Sequence, residues 1–167
     1  EEGFSFEVAE NMPGLESLKF IITATDGNET WNSSFTVTSY GPKLSIGNLT
    51  IDDNQGNGNG RLDPGEDAIL MIDIHNMGQM EAALVDIDID YTGNFLSFEN
   101  INSSLENLAA EEMEQVTFNI TVSDQAPIGS FDSFIANLTS GALEDSKEFS
   151  LSIGLILEDW ESGDFSM

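Results

Sequence analysis

The chain runs Leu62-Asp63-Pro64-Gly65-Glu66-Asp67-Ala68-Ile69-Leu70-Met71-Ile72-Asp73-Ile74-His75 through the stretch that decides the fold class. Pro64 and Gly65 oppose the start of a helix at this point. Beyond them, Ala68, Leu70, Ile72 and Ile74 alternate with the residues between them. A two-residue period of this kind predicts a β-strand, and no helical period competes with it.

The same alternation recurs along the chain, separated by clusters of Gly, Asn, Asp, Ser and Pro. It predicts seven strands, near residues 44–51, 67–76, 83–91, 95–101, 114–122, 131–138 and 147–153. A parallel sheet would need helices between its strands, and no helical pattern of useful length occurs. We therefore expect an all-β fold, an immunoglobulin-like antiparallel β-sandwich.

An internal repeat indicates how the chain is divided. Pro13, Phe20 and Phe35 recur 114 positions later as Pro127, Phe134 and Phe149. A solenoid repeat spans only about 20–50 residues, so this offset indicates a whole domain. We predict that residues 1–43 are the C-terminal strands of a preceding module, that 44–154 form a complete module, and that 155–167 link it to the next domain. Strands without the rest of their sandwich expose unpaired edges, so we expect residues 1–43 to pair with another chain or with the complete module.

Upstream of the first strand quoted lies a loop, residues 52–66, that combines glycines with side-chain oxygens at alternate positions. Ca²⁺ takes six to eight oxygen ligands, and glycine lets the backbone curl around the ion. The first-choice ligands are Asp53, Asn57, Asn59, the Arg61 carbonyl and Glu66, with Asp52 and Asp63 as second choices. We expect Glu66 to close the site bidentately and to be exposed without the ion. The alternative is an Asn/Gly-rich surface turn that binds nothing.

An EF-hand register places Gln55 where that loop needs an aspartate, so the resemblance is to calcium loops in general. Strand residues rather than a helix follow the loop, which agrees with that distinction.

Composition restricts the partners. The 167 residues carry 31 acidic and 4 basic side chains, a formal net charge of −27. Nucleic acid and anionic membrane surfaces are disfavoured as partners, and cations are the natural counter-charge. Such acidity also fits a halophilic or marine source. The chain has no cysteine and no apolar run long enough to span a bilayer, so we expect no disulfide and no membrane insertion.

Catalysis is not expected from this sequence. A nucleophilic mechanism needs a base held against a Ser or Cys, and His75 is the only histidine. Asp86, Asp88 and Asp90 alternate with Val85, Ile87 and Ile89, which predicts the solvated face of a half-buried strand rather than a pair of catalytic acids.

Carbohydrate binding is the competing hypothesis. Sandwich modules that bind sugars present coplanar aromatic side chains, and four residues are candidates. They are Trp31, Tyr40, Tyr91 and Trp160. A cluster of them on one sheet face would favour a sugar site, whereas buried or scattered positions would favour packing.

Three short motifs carry a resemblance to a known family. Asn57-Gly58-Asn59-Gly60, Pro64-Gly65-Glu66 and Asn76-Met77-Gly78 resemble the immunoglobulin-like modules of large secreted and cell-surface bacterial proteins. The tail, residues 157–166, is similar to a junction found in gingipain-type cysteine peptidases and related surface proteins. The resemblance implies a non-catalytic stalk module, secreted or at the cell surface, whose partners are neighbouring domains of the same chain. Any peptidase activity would lie in other domains.

Overall fold

The protein is described here by a computed structural model that covers residues 4–9 and 12–154. Every regular element in these residues is a β-strand. The strands are β1 Ser17–Thr25, β2 Thr30–Thr38, β3 Leu44–Asp52, β4 Asp67–Asn76, β5 Ala82–Asp90, β6 Leu96–Phe98, β7 Asn102–Leu108, β8 Met113–Val122, β9 Ser130–Ser140 and β10 Leu143–Ile153. No helix among the described residues is long and apolar enough to cross a membrane.

Eight of these strands form a sandwich of two four-stranded antiparallel sheets. One sheet has the order β3-β4-β8-β6, and the other has the order β10-β9-β5-β7. The first order matches strands A-B-E-D of an immunoglobulin domain, and the second places G-F-C beside one further strand. The predicted all-β sandwich of immunoglobulin type is confirmed.

The alternation seen in the sequence places the core between the two sheets. Ala68, Leu70, Ile72 and Ile74 of β4 are all buried, and so are Val85, Ile87 and Ile89 of β5. Their side chains join those of Phe118, Phe134 and Phe149 in one hydrophobic cluster. Each buried Ile, Leu, Val or Phe side chain contributes about 1.5–3 kcal/mol relative to full exposure, so this cluster holds the sheets together.

The strand predictions miss one element. The stretch predicted as a strand over 95–101 forms β6 only over Leu96–Phe98, and the chain then returns to the other sheet as β7. The sequence of β7 is Asn-Ser-Ser-Leu-Glu-Asn-Leu, which is too polar to show an alternating pattern. It is the outermost strand of its sheet, and an edge strand needs little apolar surface because much of it faces water.

Strands β1 and β2 form a separate two-stranded hairpin in the first part of the chain. Their register matches that of β9 and β10 at the offset found in the sequence: Phe20 lies opposite Phe35, and Phe134 lies opposite Phe149. Leu15 and Gly129, also 114 positions apart, both have positive φ, 65° and 80°. The repeat is thus one of conformation as well as of residue type. Two of the three strands expected in residues 1–43 are formed, and residues 4–9 have no regular structure.

Candidate functional site

The glycine-rich loop, residues 53–66, joins β3 to β4 and is anchored to the sandwich near its end. The Leu62 side chain is fully buried, Leu62 bridges to Ile153, and the Gly154 N–H donates to the Leu62 carbonyl over 2.7 Å. Gly58 and Gly60 have φ of 69° and 79°, the left-handed region that other residues avoid. The loop therefore folds back on itself before Leu62 enters the core.

Two of the predicted ligands lie beneath this loop as buried carboxylates. Asp53 and Glu66 are only 5% and 7% exposed. The Asp53 Oδ2 accepts the Gly60 N–H at 2.8 Å and the Arg61 N–H at 3.4 Å. The two Glu66 oxygens accept the N–H groups of Asn57 at 2.7 Å and Asp63 at 3.0 Å. These backbone donors satisfy carboxylates whose burial would otherwise be costly.

The expectation that Glu66 is exposed is therefore wrong. Gly56 packs so closely against the Glu66 side chain that a methyl group at Gly56 would collide with it. The carboxylate is covered because it holds together the two ends of the loop, a role that the residue order alone does not show.

The remaining predicted ligands lie nearer the surface. Asp63 Oδ2 accepts the side-chain amides of Asn57 at 2.8 Å and Asn59 at 2.7 Å, and these two hydrogen bonds lower the pKa of Asp63. Asp52 accepts only from the neighbouring Asn54. Arg61 contributes its N–H group to Asp53. The structure thus gathers Asp53, Asn57, Asn59, Asp63 and Glu66 around one loop and leaves Asp52 to one side.

The hydrogen bonds of this loop would have to change for it to hold a calcium ion. Within the described residues, no three acidic or histidine side chains converge as a ligand group. Asn57 and Asn59 turn their Nδ2 groups, not their oxygens, towards Asp63, and the Glu66 oxygens are both engaged by backbone N–H groups. A six- to eight-oxygen shell would require both amides to turn and the carboxylates to exchange these donors for the ion.

The candidate catalytic groups lie on the surface of the sandwich. Asp86, Asp88 and Asp90 are exposed on the outer face of β5, while the residues between them are buried, as the alternation predicts. His75 lies in β4 with its ring over Gly47.

The four aromatic candidates for a sugar site do not form one group. Tyr91 packs against Phe98 with ring centroids 5.2 Å apart, Tyr40 is exposed, and Trp160 lies outside the described residues. Trp31 is exposed on the β1–β2 hairpin.

Among the described residues, the side chain with the most hydrogen bonds belongs to Asn76, which was not among the predicted site residues. Asn76 is 1% exposed, and its side chain makes four hydrogen bonds. Its Nδ2 donates to the carbonyls of Met80 and Leu108, at 2.8 and 3.0 Å, and its Oδ1 accepts from Lys43 and Gly78, at 3.1 and 3.0 Å. The sequence signal that could have identified Asn76 is the Asn76-Met77-Gly78 motif, which forms the tight corner after β4.

A second hydrogen-bonded group that was not predicted, the Tyr91–Asp132 clamp, fixes the segment in which the chain crosses from one sheet to the other. The Tyr91 hydroxyl donates to Asp132 at 2.5 Å and accepts the N–H groups of Phe95 and Leu96, at 3.0 and 2.7 Å. Asp132 also accepts from Phe95 at 2.9 Å. Burial, and then the adjacent Asp132 carboxylate, raise the pKa of Tyr91. No local sequence pattern predicts this pair, because its members are 41 positions apart in the chain.

Residues 39–43 form a joint between the hairpin and the sandwich. On one side the Gly14 N–H donates to the Pro42 carbonyl at 2.9 Å. On the other, the Gln79 N–H donates to Gly41 at 3.0 Å and the Met77 N–H to Lys43 at 2.8 Å. A methyl group at Gly14 or Gly78 would collide with the Gly41 carbonyl. The chain segments approach this closely because both positions lack a side chain.

No protein-family model and no curated protein matches this sequence. Among solved structures, the chain is similar to a FixG-related protein from Vibrio parahaemolyticus, at 13% identity and a TM-score of 0.42 over 67% of this chain and 97% of that one. It is also similar to the ASH/PapD-like domain 7 of human CEP192, at 12% identity and a TM-score of 0.39 over 68% of this chain and 87% of that one.

Proposed function

We propose that this chain is a non-catalytic structural module that acts as a stalk and holds neighbouring domains of a larger protein in a fixed relation. The observation that supports this proposal is the joint. Hydrogen bonds on both sides of residues 39–43 attach the hairpin to the sandwich, so the connection differs from a flexible linker.

Additional bonds surround the same segment. The Ser39 hydroxyl donates to the Pro13 carbonyl at 2.6 Å and accepts the Glu16 N–H at 2.9 Å. Lys43 and Glu16 form an ion pair of 2.9 Å, which is largely solvated and contributes little by itself. The backbone bonds and Asn76 therefore carry the rigidity of the joint.

The family resemblance extends the proposal to location and parent protein. Modules with these motifs belong to large secreted and cell-surface bacterial proteins, so we place this chain in that setting, with any peptidase activity in other domains. Calcium in the loop over 52–66 stays a prediction, in which the ion would stiffen the connection between β3 and β4.

The joint can be tested by comparing the motions of its two sides. We expect ¹⁵N relaxation to give one rotational correlation time for residues 17–38 and 44–153, because the joint makes them one body. The Gly14→Ala variant should separate the two values while leaving the melting transition of the sandwich in place, since Gly14 lies outside its core. Tyr40→Ala is the matched control, because Tyr40 is in the same segment but 70% exposed. Two correlation times in the unmodified protein would overturn the proposal.

Carbohydrate binding is the alternative, and the exposure of Trp31 at 51% and Phe35 at 49% is the observation that favours it. Their neighbours on the hairpin include Leu18, Ile22 and Val37. Sugar sites pair aromatic rings with hydrogen-bonding side chains, so this apolar composition favours burial against protein.

A further inference from the structure

One face of the β1–β2 hairpin has the composition of a protein core. Strand alternation and the observed register place Leu18, Phe20, Ile22 and Ala24 of β1 beside Val37, Phe35, Ser33 and Trp31 of β2. The Phe20 and Phe35 rings stack with centroids 5.0 Å apart. The opposite face is mainly Thr, Ser and Asn. The apolar face is nevertheless open, since Trp31, Phe35 and Val37 are all more than 40% exposed.

The equivalent face of the β9–β10 hairpin shows what covers such a surface. Phe134 and Phe149 are 2% and 8% exposed, because the sheet β3-β4-β8-β6 lies over them. The Phe98 ring of that sheet meets Phe134 edge-on, with centroids 5.6 Å apart. The two hairpins share their register, so the same face that is open in one is core in the other.

The edges of the two hairpins differ in the same way. Strand β9 pairs with β10 on one side and with β5 on the other, Ile89 lying opposite Ala136. Strand β1 pairs only with β2 among the described residues. The backbone groups on its outer edge are therefore unpaired at the place where, in the complete sandwich, β5 pairs with β9. Unpaired strand edges recruit further strands.

Residues 4–9 occupy part of the open face. The Phe6 ring lies 4.8 Å from the Phe20 ring, centroid to centroid. Phe4, Phe6 and Val8 correspond at the repeat offset to Phe118, Ile120 and Val122 of β8, which lies in the sheet opposite β9. The segment thus takes the side of the hairpin that β8 takes in the complete sandwich.

We propose that the apolar face and outer edge of the β1–β2 hairpin form a docking surface for five strands with the chemistry of β3, β4, β5, β6 and β7, supplied by a further copy of this unit in the same polypeptide. The strand equivalent to β5 pairs antiparallel with β1, the counterpart of Ile89 lying opposite Ile22. This inference rests on the proposed structural function, because it specifies how one module is completed beside the next.

The size of the surface favours a partner in the same polypeptide. Two nine-residue strands present about 300 Å² on one face, from a rise of about 3.3 Å per residue and a strand spacing of about 4.8 Å. Two such faces would bury about 600 Å², below the roughly 1,200–2,000 Å² of stable complexes between free proteins. A tethered sheet binds at a much higher effective concentration, so a small interface is sufficient.

Two positions depart from the repeat. Asp145 accepts the Ile46 N–H at 2.9 Å and the Lys147 ammonium donates to the Gly47 carbonyl at 2.5 Å, which ties β10 to β3. The equivalent positions on the hairpin are Trp31 and Ser33. The counterpart of β3 should therefore be held by apolar contact with Trp31 instead of by these polar bonds.

An extended chain tests the proposal. The extended chain consists of residues 44–122 fused to the N-terminus of residues 9–167. Because Val122 corresponds to Val8, this fusion supplies the missing strands in register. The chain has two tryptophans, Trp31 and Trp160, so a Trp160→Phe background leaves Trp31 as the only one. We expect the Trp31 emission of the extended chain to shift to shorter wavelength, its acrylamide quenching to fall several-fold, and the β1 amides to exchange more slowly with solvent. The same extension carrying Ile72→Asp in the added segment is the control, since Ile72 is fully buried in the complete module.

A pair of engineered cysteines reports the register of the added strand. In the complete module Asp88 lies opposite Asn137, whose counterpart on the hairpin is Thr23. Asp88→Cys in the added segment should form a disulfide with Thr23→Cys in oxidising buffer, whereas Asp86→Cys should form it far more slowly. The native chain has no cysteine to interfere.

Shielding of Trp31 with the register-specific disulfide supports the proposal. Unchanged Trp31 exposure and no disulfide overturn it, including the case in which the added segment fails to fold. Shielding of Trp31 in the original chain by concentration-dependent self-association, or by soluble polysaccharide, also overturns it. The relaxation measurement on the joint is independent, so either proposal can fail without the other.

Discussion

Asn76 shows how one buried polar residue organises a corner of the sandwich. It ends β4 and bonds to Lys43 just before β3, to its own turn and to the end of β7. A buried amide with all of these groups satisfied stabilises a single arrangement, whereas leaving them unpaired would cost about 1–3 kcal/mol for each group. Gly78 completes the corner, because the backbone of residues 41–43 occupies the space that a side chain would need.

Tyr91 gives a prediction for alkaline pH. Burial, and then the adjacent Asp132 carboxylate, raise its folded-state pKa above the ordinary tyrosine value of about 10, so the folded protein retains the hydroxyl proton more strongly than the unfolded chain does. The stability from this group is present below about pH 10 and is lost as pH rises through the folded-state pKa. We expect the free energy of unfolding to fall above pH 10 in urea titrations.

The Tyr91→Phe variant tests whether the alkaline loss of stability comes from Tyr91 and not from other groups in the chain. It should lose about 1–2 kcal/mol at neutral pH, because the N–H of Leu96 loses its acceptor, and should show a smaller alkaline decline. Tyr40→Phe is the control on an exposed tyrosine. Parallel pH profiles for Tyr91→Phe and the unmodified protein would contradict this account.

The observed role of the loop over 52–66 differs from its predicted role more than that of any other element discussed. Glu66→Gln should lower the calcium-free stability by about 1–3 kcal/mol, because its amide nitrogen would face an N–H donor in place of an acceptor. Asp52→Asn is the matched control, since Asp52 accepts only from Asn54. Equal melting temperatures for Glu66→Gln and the unmodified protein would contradict the role assigned to these hydrogen bonds.

The same element carries the calcium prediction. Extracellular calcium modules bind with Kd of about 10⁻⁴–10⁻³ M, and ion at ten to a hundred times Kd would add about 1.4–2.7 kcal/mol. We expect a rise of a few degrees in melting temperature with calcium, reversed by chelator, with little effect of magnesium. Calorimetry at matched ionic strength is the measurement, and identical transitions with calcium and with chelator would refute the site.

At the scale of the whole molecule, charge opposes the fold. A net charge of −27 produces repulsion between surface carboxylates, which salt screens over about 30 Å at 0.01 M and about 3 Å at 1 M. Raising sodium chloride from about 0.01 to 0.5 M should therefore raise the melting temperature by several degrees. A melting temperature that stays constant or falls over this range would show that repulsion does not limit stability.

Strand type, the buried faces and the repeat could be predicted from the sequence because they depend on local alternation and on residue identity. Ala68 to His75 are a strand, and the apolar face predicted for β4 and β5 is the one that is buried. The Phe20–Phe35 and Phe134–Phe149 pairs follow from one offset. Strand β7 was missed because an edge strand needs no apolar alternation.

Only the tertiary structure decided which polar groups are buried. Glu66 and Asp53 have the sequence context of exposed metal ligands, yet backbone N–H groups from elsewhere in the loop satisfy both. The Tyr91–Asp132 clamp and the joint bring together segments that are far apart in the chain. A sequence pattern reports the preference of each residue for water or core, whereas the partner of a buried polar group depends on the folded path of the whole chain.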